Sequence, residues 1–241
     1  MKKFLLVILV IVMVACESEE RLSSINVTPN VDAYVGNSIV LEVTNTPATA
    51  MVPAYHFKSN NQFVASVDDQ GKIVCHHVGT CTIVVATADT RFSTNCIVHV
   101  KPSHELFDIP VLDFKTPKTV VKLKETGKNI VYETETMLVY QGDKDPIQQL
   151  IYLFDETQVL ESSVVILAAS ASSGLAAFMD EYYKQYQPAE GLGLLAWSGN
   201  GTEAVAKIAD DSCVVVYSPF SGNTSHTMAA KVIENLYSLG K

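Results

Sequence analysis

Between Ser23 and Lys101, apolar side chains recur at every second position. Ile25 and Val27 are followed by Ile39, Leu41 and Val43, then by Ile83 and Val85, then by Val98 and Val100. That period sends successive side chains to opposite faces and marks half-buried strands. Turn-forming clusters separate the runs: Thr28-Pro29-Asn30, Gly36-Asn37, Ser59-Asn60-Asn61, Asp68-Asp69-Gln70-Gly71, Val78-Gly79 and Ala88-Asp89-Thr90. About seven short strands at this spacing predict an all-β sandwich over residues 23–101.

Several of these segments carry a family resemblance. Ser24-Ile25-Asn26-Val27-Thr28-Pro29 is similar to the opening strand of the group 2 bacterial immunoglobulin-like domain, and Tyr34-Val35-Gly36-Asn37-Ser38-Ile39-Val40-Leu41 to its second strand. Val64-Ala65-Ser66-Val67-Asp68-Asp69-Gln70-Gly71-Lys72-Ile73 resembles the following hairpin, and Gly79-Thr80-Cys81-Thr82-Ile83 with Cys96-Ile97-Val98-His99-Val100 completes the pattern. Phe57 stands where the family usually has tryptophan, and still fills a core position. The resemblance implies a spacer or adhesion module without catalytic residues.

Cys75-His76-His77 with Cys81 has the short spacing of a zinc site. Parity argues otherwise. Cys75 shares the face of Ile73 and Cys81 that of Ile83, while His76 points to the other side, so no metal or other cofactor is expected. Cys81 and Cys96 lie on consecutive inward-facing strands, which makes a cross-strand disulfide a candidate; two buried free thiols are the alternative.

Pro102-Ser103-His104 ends the alternation, and residues 102–241 form a second domain with mixed strands and helices. Strands are expected over 130–140, 148–154, 159–168, 192–197, 204–208 and 214–217. One amphipathic helix is expected from Ser170 to Tyr186 and another at the C-terminus around Met228, Val232, Ile233 and Leu236. Each half reads as three strands and a helix, a possible internal βββα repeat. The expected fold is an α+β two-layer domain, with both helices on one face of an antiparallel sheet.

The second domain offers little chemistry. Ser198 in Trp197-Ser198-Gly199-Asn200-Gly201 lacks the flanking glycines of a nucleophile elbow, although Asp210, Asp211 and His226 could supply triad partners. Glu133 and Glu135 share parity within one expected strand. No catalytic residue is assigned. The aromatics are more suggestive, and Trp197 and Tyr183 are the candidate ligand-binding side chains, for a glycan or a protein.

Lys2 and Lys3 precede an uninterrupted apolar run from Phe4 to Val14, too short to span a bilayer, which reads as a secretory leader over residues 1–15. Met13-Val14-Ala15-Cys16 resembles the lipobox of bacterial lipoproteins, which implies a lipidated Cys16 at the head of the mature chain. The acidic linker over residues 16–22, with Glu17-Ser18-Glu19-Glu20, resembles the export signal of surface lipoproteins in the Bacteroidota. Net charge is −9 over the whole chain, and two units lower without the leader lysines. Such a chain suits neither nucleic acid nor anionic headgroups, so no nucleic-acid partner is expected.

The sequence therefore predicts an outer-membrane, surface-exposed lipoprotein whose spacer presents a non-catalytic binding domain. A cell-envelope hydrolase and a structural subunit of an envelope complex are the alternatives. Cys16→Ala should move the protein from the membrane fraction to the soluble fraction. Retention on carbonate-washed membranes would contradict the anchor.

Overall fold

The computed structural model describes residues 20–51, 54–187, 193–220, 229, 231–233 and 235. Cys16, the leader and His226 lie outside the described residues.

The first domain is built from β1 (Ser24–Asn26), β2 (Asn30–Tyr34), β3 (Ser38–Val40), β4 (Thr44–Thr46), β5 (Tyr55–Ser59), β6 (Ala65–Val67), β7 (Lys72–Cys75), β8 (Gly79–Thr87) and β9 (Ser93–Lys101). A four-stranded sheet, β2-β9-β8-β5, faces a three-stranded one, β3-β7-β6, while β1 and β4 form a separate pair. The inward side chains, among them Ile25, Leu41, Ile73, Ile83, Val85 and Val98, make one core between the sheets. This is the sandwich that the period-two pattern predicts. The turn at Gly71 needs glycine: its φ is +76°, and a Cβ there would meet the Phe57 ring at 3.0 Å.

The Cys81–Cys96 bridge is not formed, and Cys75, Cys81 and Cys96 are all buried and free. Register is the reason. Cys81 pairs with Val98, and Cys96 pairs with Ile83, so the two cysteines stand diagonally, two positions out of step. Diagonal neighbours are roughly 7–8 Å apart, too far for a bridge.

The second domain adds α1 (Lys118–Lys124), β10 (Ile130–Glu133), β11 (Met137–Gln141), β12 (Ile147–Phe154), β13 (Leu160–Ala168), α2 (Ser172–Tyr182), β14 (Lys184–Tyr186), β15 (Leu195–Gly199), β16 (Thr202–Ile208) and β17 (Ser212–Pro219). One eight-stranded antiparallel sheet runs β10-β11-β12-β13-β17-β16-β15-β14. Two three-stranded meanders, β11–β13 and β15–β17, meet at its centre. The strand layout thus has the repeated form expected, and the α+β class stands.

The helices break the repeat. Leu175, Phe178 and Met179 of α2 pack with Trp197, Val215 and Tyr217 on one face, whereas helical Ala229 and Ile233 pack with Val164, Val205 and Val216 on the other. The expectation of both helices on one face is corrected. The central strands are apolar on both faces, so one covered face would leave the other in water.

Two boundaries also differ. Residues 130–140 form a hairpin, β10–β11, because Thr134–Thr136 make its turn. The helix expected to reach Tyr186 stops at Tyr182. Tyr183 turns extended, with φ −142° and ψ 163°, and residues 184–186 join the sheet as an edge strand.

Trp197 is fully buried against α2, and its Nε1 donates to Asp180 Oδ1 at 2.7 Å. Trp197→Ala should therefore destabilise the second domain by about 3–5 kcal/mol, through the lost side chain and the cavity it leaves. Denaturant unfolding followed by far-UV circular dichroism measures the difference.

Candidate functional site

The residues first singled out for chemistry do not converge. Ser198 lies near the end of β15, opposite Glu203 on one side and Lys184 on the other. Asp210 and Asp211 occupy the turn at the far end of β16, about 20 Å away along a seven-residue strand. Glu133 sits on β10 and Glu135 in the following turn, so they do not form a pair on one strand. The Glu133 carboxylate is held instead by Lys118 and Lys122, each at 3.0 Å. Hydrogen bonds from Lys122, then Lys118, pull its pKa below the usual carboxylate value.

The proposed ligand aromatics are core residues. Trp197 has no exposed surface and Tyr183 is 6% exposed. A ring can stack on a sugar only with a face open to solvent, so both leave the candidate site. Tyr183 reads as a helix-surface aromatic only if the helix continues to Tyr186, and it does not; Trp197 lies on β15, under α2.

The hairpin carrying Ser198 has another role. Gly199 abuts the first domain so closely that a Cβ would lie 2.3 Å from the Phe63 ring. Phe63 stacks on His77 with ring centroids 3.9 Å apart, and Asn61 Nδ2 donates to Asn200 Oδ1 at 3.2 Å. A second joint forms at the end of α2. The buried Glu181 carboxylate accepts the Ser103 N–H at 2.7 Å and the His104 N–H at 3.2 Å, with His104 Nδ1 at 2.7 Å. The Glu181 carbonyl accepts the Val78 N–H at 2.7 Å. The linker between the domains is thus fastened to α2.

Beside this joint lies a cavity of about 550 Å³, lined by Pro102, residues 105–109, Lys144, Asp145, Phe178 and Tyr182. The chain after Pro102 runs beside α2, and buried Phe107 anchors it there, its ring 4.7 Å from that of Phe178. Tyr182, one position before the residue singled out from sequence, packs on Phe178 at 5.0 Å and stays partly exposed. Its hydroxyl pKa is raised by burial first, then by the charges of Glu181, Asp108 and Glu105. Glu105, Asp108 and Asp145 supply carboxylates. Lys144 supplies an ammonium, with Nζ 3.9 Å from Asp108 Oδ2.

This arrangement presents hydrogen-bond acceptors beside the open part of the Tyr182 ring. It suits a ligand rich in hydroxyl groups, which donate to carboxylates while its C–H face rests on that ring. Sequence reasoning missed residues 105–109 and 144–145 because they lie in irregular segments. Prolines at 102, 110 and 146 mark those segments as loops, where binding residues concentrate.

Residues 22–98 match the family model of the bacterial Ig-like domain (group 2). The first domain is therefore an Ig-like domain of that group. No curated protein sequence matches the chain. Among solved structures, domains 5–6 of the S-layer protein SbsC are 16% identical, with 86% of each chain covered and a TM-score of 0.30. Cadherin domains 1–4 of protocadherin gamma B7 are 10% identical over 83% of this chain and 51% of that one, with a TM-score of 0.29. SGBP-B of a Bacteroides ovatus mixed-linkage glucan utilization locus, solved with a mixed-linkage heptasaccharide, is 12% identical over 64% of this chain and 42% of that one, with a TM-score of 0.28. Scores this low assign neither an arrangement nor a role to this chain.

The thiols of the Ig-like domain belong to its core. Burial raises the thiol pKa of Cys75, Cys81 and Cys96, and of Cys213 in the second domain, away from the reactive thiolate. Among the described residues, no group of three His, Cys, Asp or Glu side chains is placed to hold a metal ion. In a C16A chain, Ellman's reagent should leave these four thiols untouched in the native state and titrate all of them after unfolding without reductant. Titration of only two would show a bridge.

Proposed function

We infer that this protein is a cell-surface binding protein whose Ig-like domain is a spacer and whose second domain holds a glycan in the cavity beside the interdomain joint. The observation that carries the reading is the composition of that cavity. Three carboxylates, Lys144 and the partly exposed ring of Tyr182 line it, and the lining residues include no serine, cysteine or histidine nucleophile. Attachment through a lipid on Cys16 and a surface-exposed position on the outer membrane belong to the same reading. Both rest on the lipobox resemblance and the acidic linker. The partners are then a membrane, through the anchor, and an extracellular glycan, with no nucleic acid.

The joint serves this purpose. Ser103 and His104 connect the spacer to the Glu181 carboxylate, and Pro102 and Glu105 line the cavity, so the spacer's exit path forms one wall of the site. A ligand there meets a surface fixed to the spacer rather than a tethered, freely turning module.

The test is a glycan array with the C16A chain, followed by calorimetry on the best ligand. Tyr182→Ala and Asp108→Asn should each weaken binding at least about tenfold, the loss of one stacking surface or one charge-assisted hydrogen bond. Absence of binding to every glycan, or binding indifferent to both substitutions, would reject the site. The carboxylates also favour one specific second reading. Hydrolysis of a bound glycan that Glu105→Gln abolishes would make the cavity a glycosidase site.

A further inference from the structure

The two edges of the second domain's sheet are unlike. At one end, β14 has three residues and exposes Lys184 and Gln185. Short, charged edges resist pairing with other chains. At the other end, all four residues of β10 are exposed, and three of them are apolar: Ile130 at 37%, Val131 at 50% and Tyr132 at 56%. Among the described residues, no strand pairs with its outer side. The helix α1 flanks this edge, tied to it by the Lys118 and Lys122 pairs with Glu133, and adds Leu123, which is 73% exposed.

Charge around the edge is balanced, although the chain as a whole carries −9. Lys124 pairs with Asp113, and Lys128 with Glu125 and Asp143. Two copies could therefore approach edge to edge without the repulsion that their net charge imposes elsewhere.

We propose that β10 is the contact between two copies of this chain, which pair antiparallel across a two-fold axis to make one continuous sheet. The occupant is a second copy because β10, together with Lys128 and Asn129 that lead into it, is complementary to itself. In Lys128-Asn129-Ile130-Val131-Tyr132-Glu133, a two-fold axis between Ile130 and Val131 sets Lys128 opposite the partner's Glu133, Asn129 opposite the partner's Tyr132, and Ile130 opposite the partner's Val131.

Such a register needs paired residues on the same face, and in a regular strand residues five apart face opposite ways. The β-bulge supplies the correction. Ile130 pairs with Tyr140 and Glu133 with Leu138, and the extra residue between Ile130 and Tyr132 shifts the parity. Glu133 consequently reaches the α1 face. Lys128 is on that face too, since it pairs with Glu125, whose carboxylate accepts the Tyr152 hydroxyl in the core beneath α1. Opposite charges thus meet on one side of the new strand pair, and Asn129 meets Tyr132 on the other.

Sedimentation equilibrium of the full-length C16A chain tests the contact. The wild-type edge should give a dimer with Kd in about the micromolar range. Val131→Lys should weaken association by roughly a hundredfold, since the two-fold axis brings like charges together, while its thermal unfolding midpoint should match that of the parent. Chains with Asn129→Cys and Tyr132→Cys, mixed and oxidised, should form the mixed disulfide in preference to either symmetric one. A monomer at all concentrations, a dimer unmoved by Val131→Lys, symmetric cross-links in place of the mixed one, or an unrelated extended peptide on the edge would each overturn the proposal.

Discussion

The pairing of β13 with β17 sets the architecture of the second domain. Val164 stands opposite Val216, Val165 opposite Val215 and Ile166 opposite Val214, so both central strands carry branched apolar side chains on both faces. A sheet with such a centre must be covered twice. From this follow the placement of α2 on one side and of helical Ala229 and Ile233 on the other, and the division of the core into two clusters. At about 25 cal/mol per Å² of apolar surface, leaving either face open would cost far more than any single hydrogen bond returns.

The cavity is a consequence of that cover. Helix α2 shields one face but ends at Tyr182, where the chain turns outward to become an edge strand. The interdomain segment after Lys101 fills the space beside the helix with Phe107 and leaves the cavity along its path. A buried carboxylate is expensive unless it is hydrogen-bonded. Glu181 meets that condition by gathering two backbone N–H groups and the His104 ring from the linker. The same contacts that satisfy Glu181 hold the spacer against the binding domain.

Some features were legible because they depend only on period and turn chemistry. The sandwich over residues 23–101 follows from alternation interrupted by glycine, asparagine and aspartate turns. The six strands expected in the second domain correspond to β10–β13 and β15–β17, with the first divided at Thr134–Thr136. The end of α2 was not legible. Tyr182, Tyr183 and Tyr186 continue the helical spacing of Leu175 and Phe178, and nothing local stops the helix before Pro188. Edge pairing of Lys184–Tyr186 with β15 competes for those residues and wins, which buries Tyr183 and leaves Tyr182 at the surface.

By itself, the sequence determined most of the strands, which of their faces are apolar, and that the chain changes character near Lys101. It did so because alternation and turn propensity are local properties. Only the tertiary structure decided register, and with it the fate of Cys81 and Cys96, which parity places on one face and register sets two positions apart. It also decided which aromatics are core and which line a cavity, because exposure depends on what packs above a side chain rather than on its neighbours in sequence. Trp197 is the clearest case: as a residue type it suits a binding surface, and α2, by packing over it, makes it part of the core.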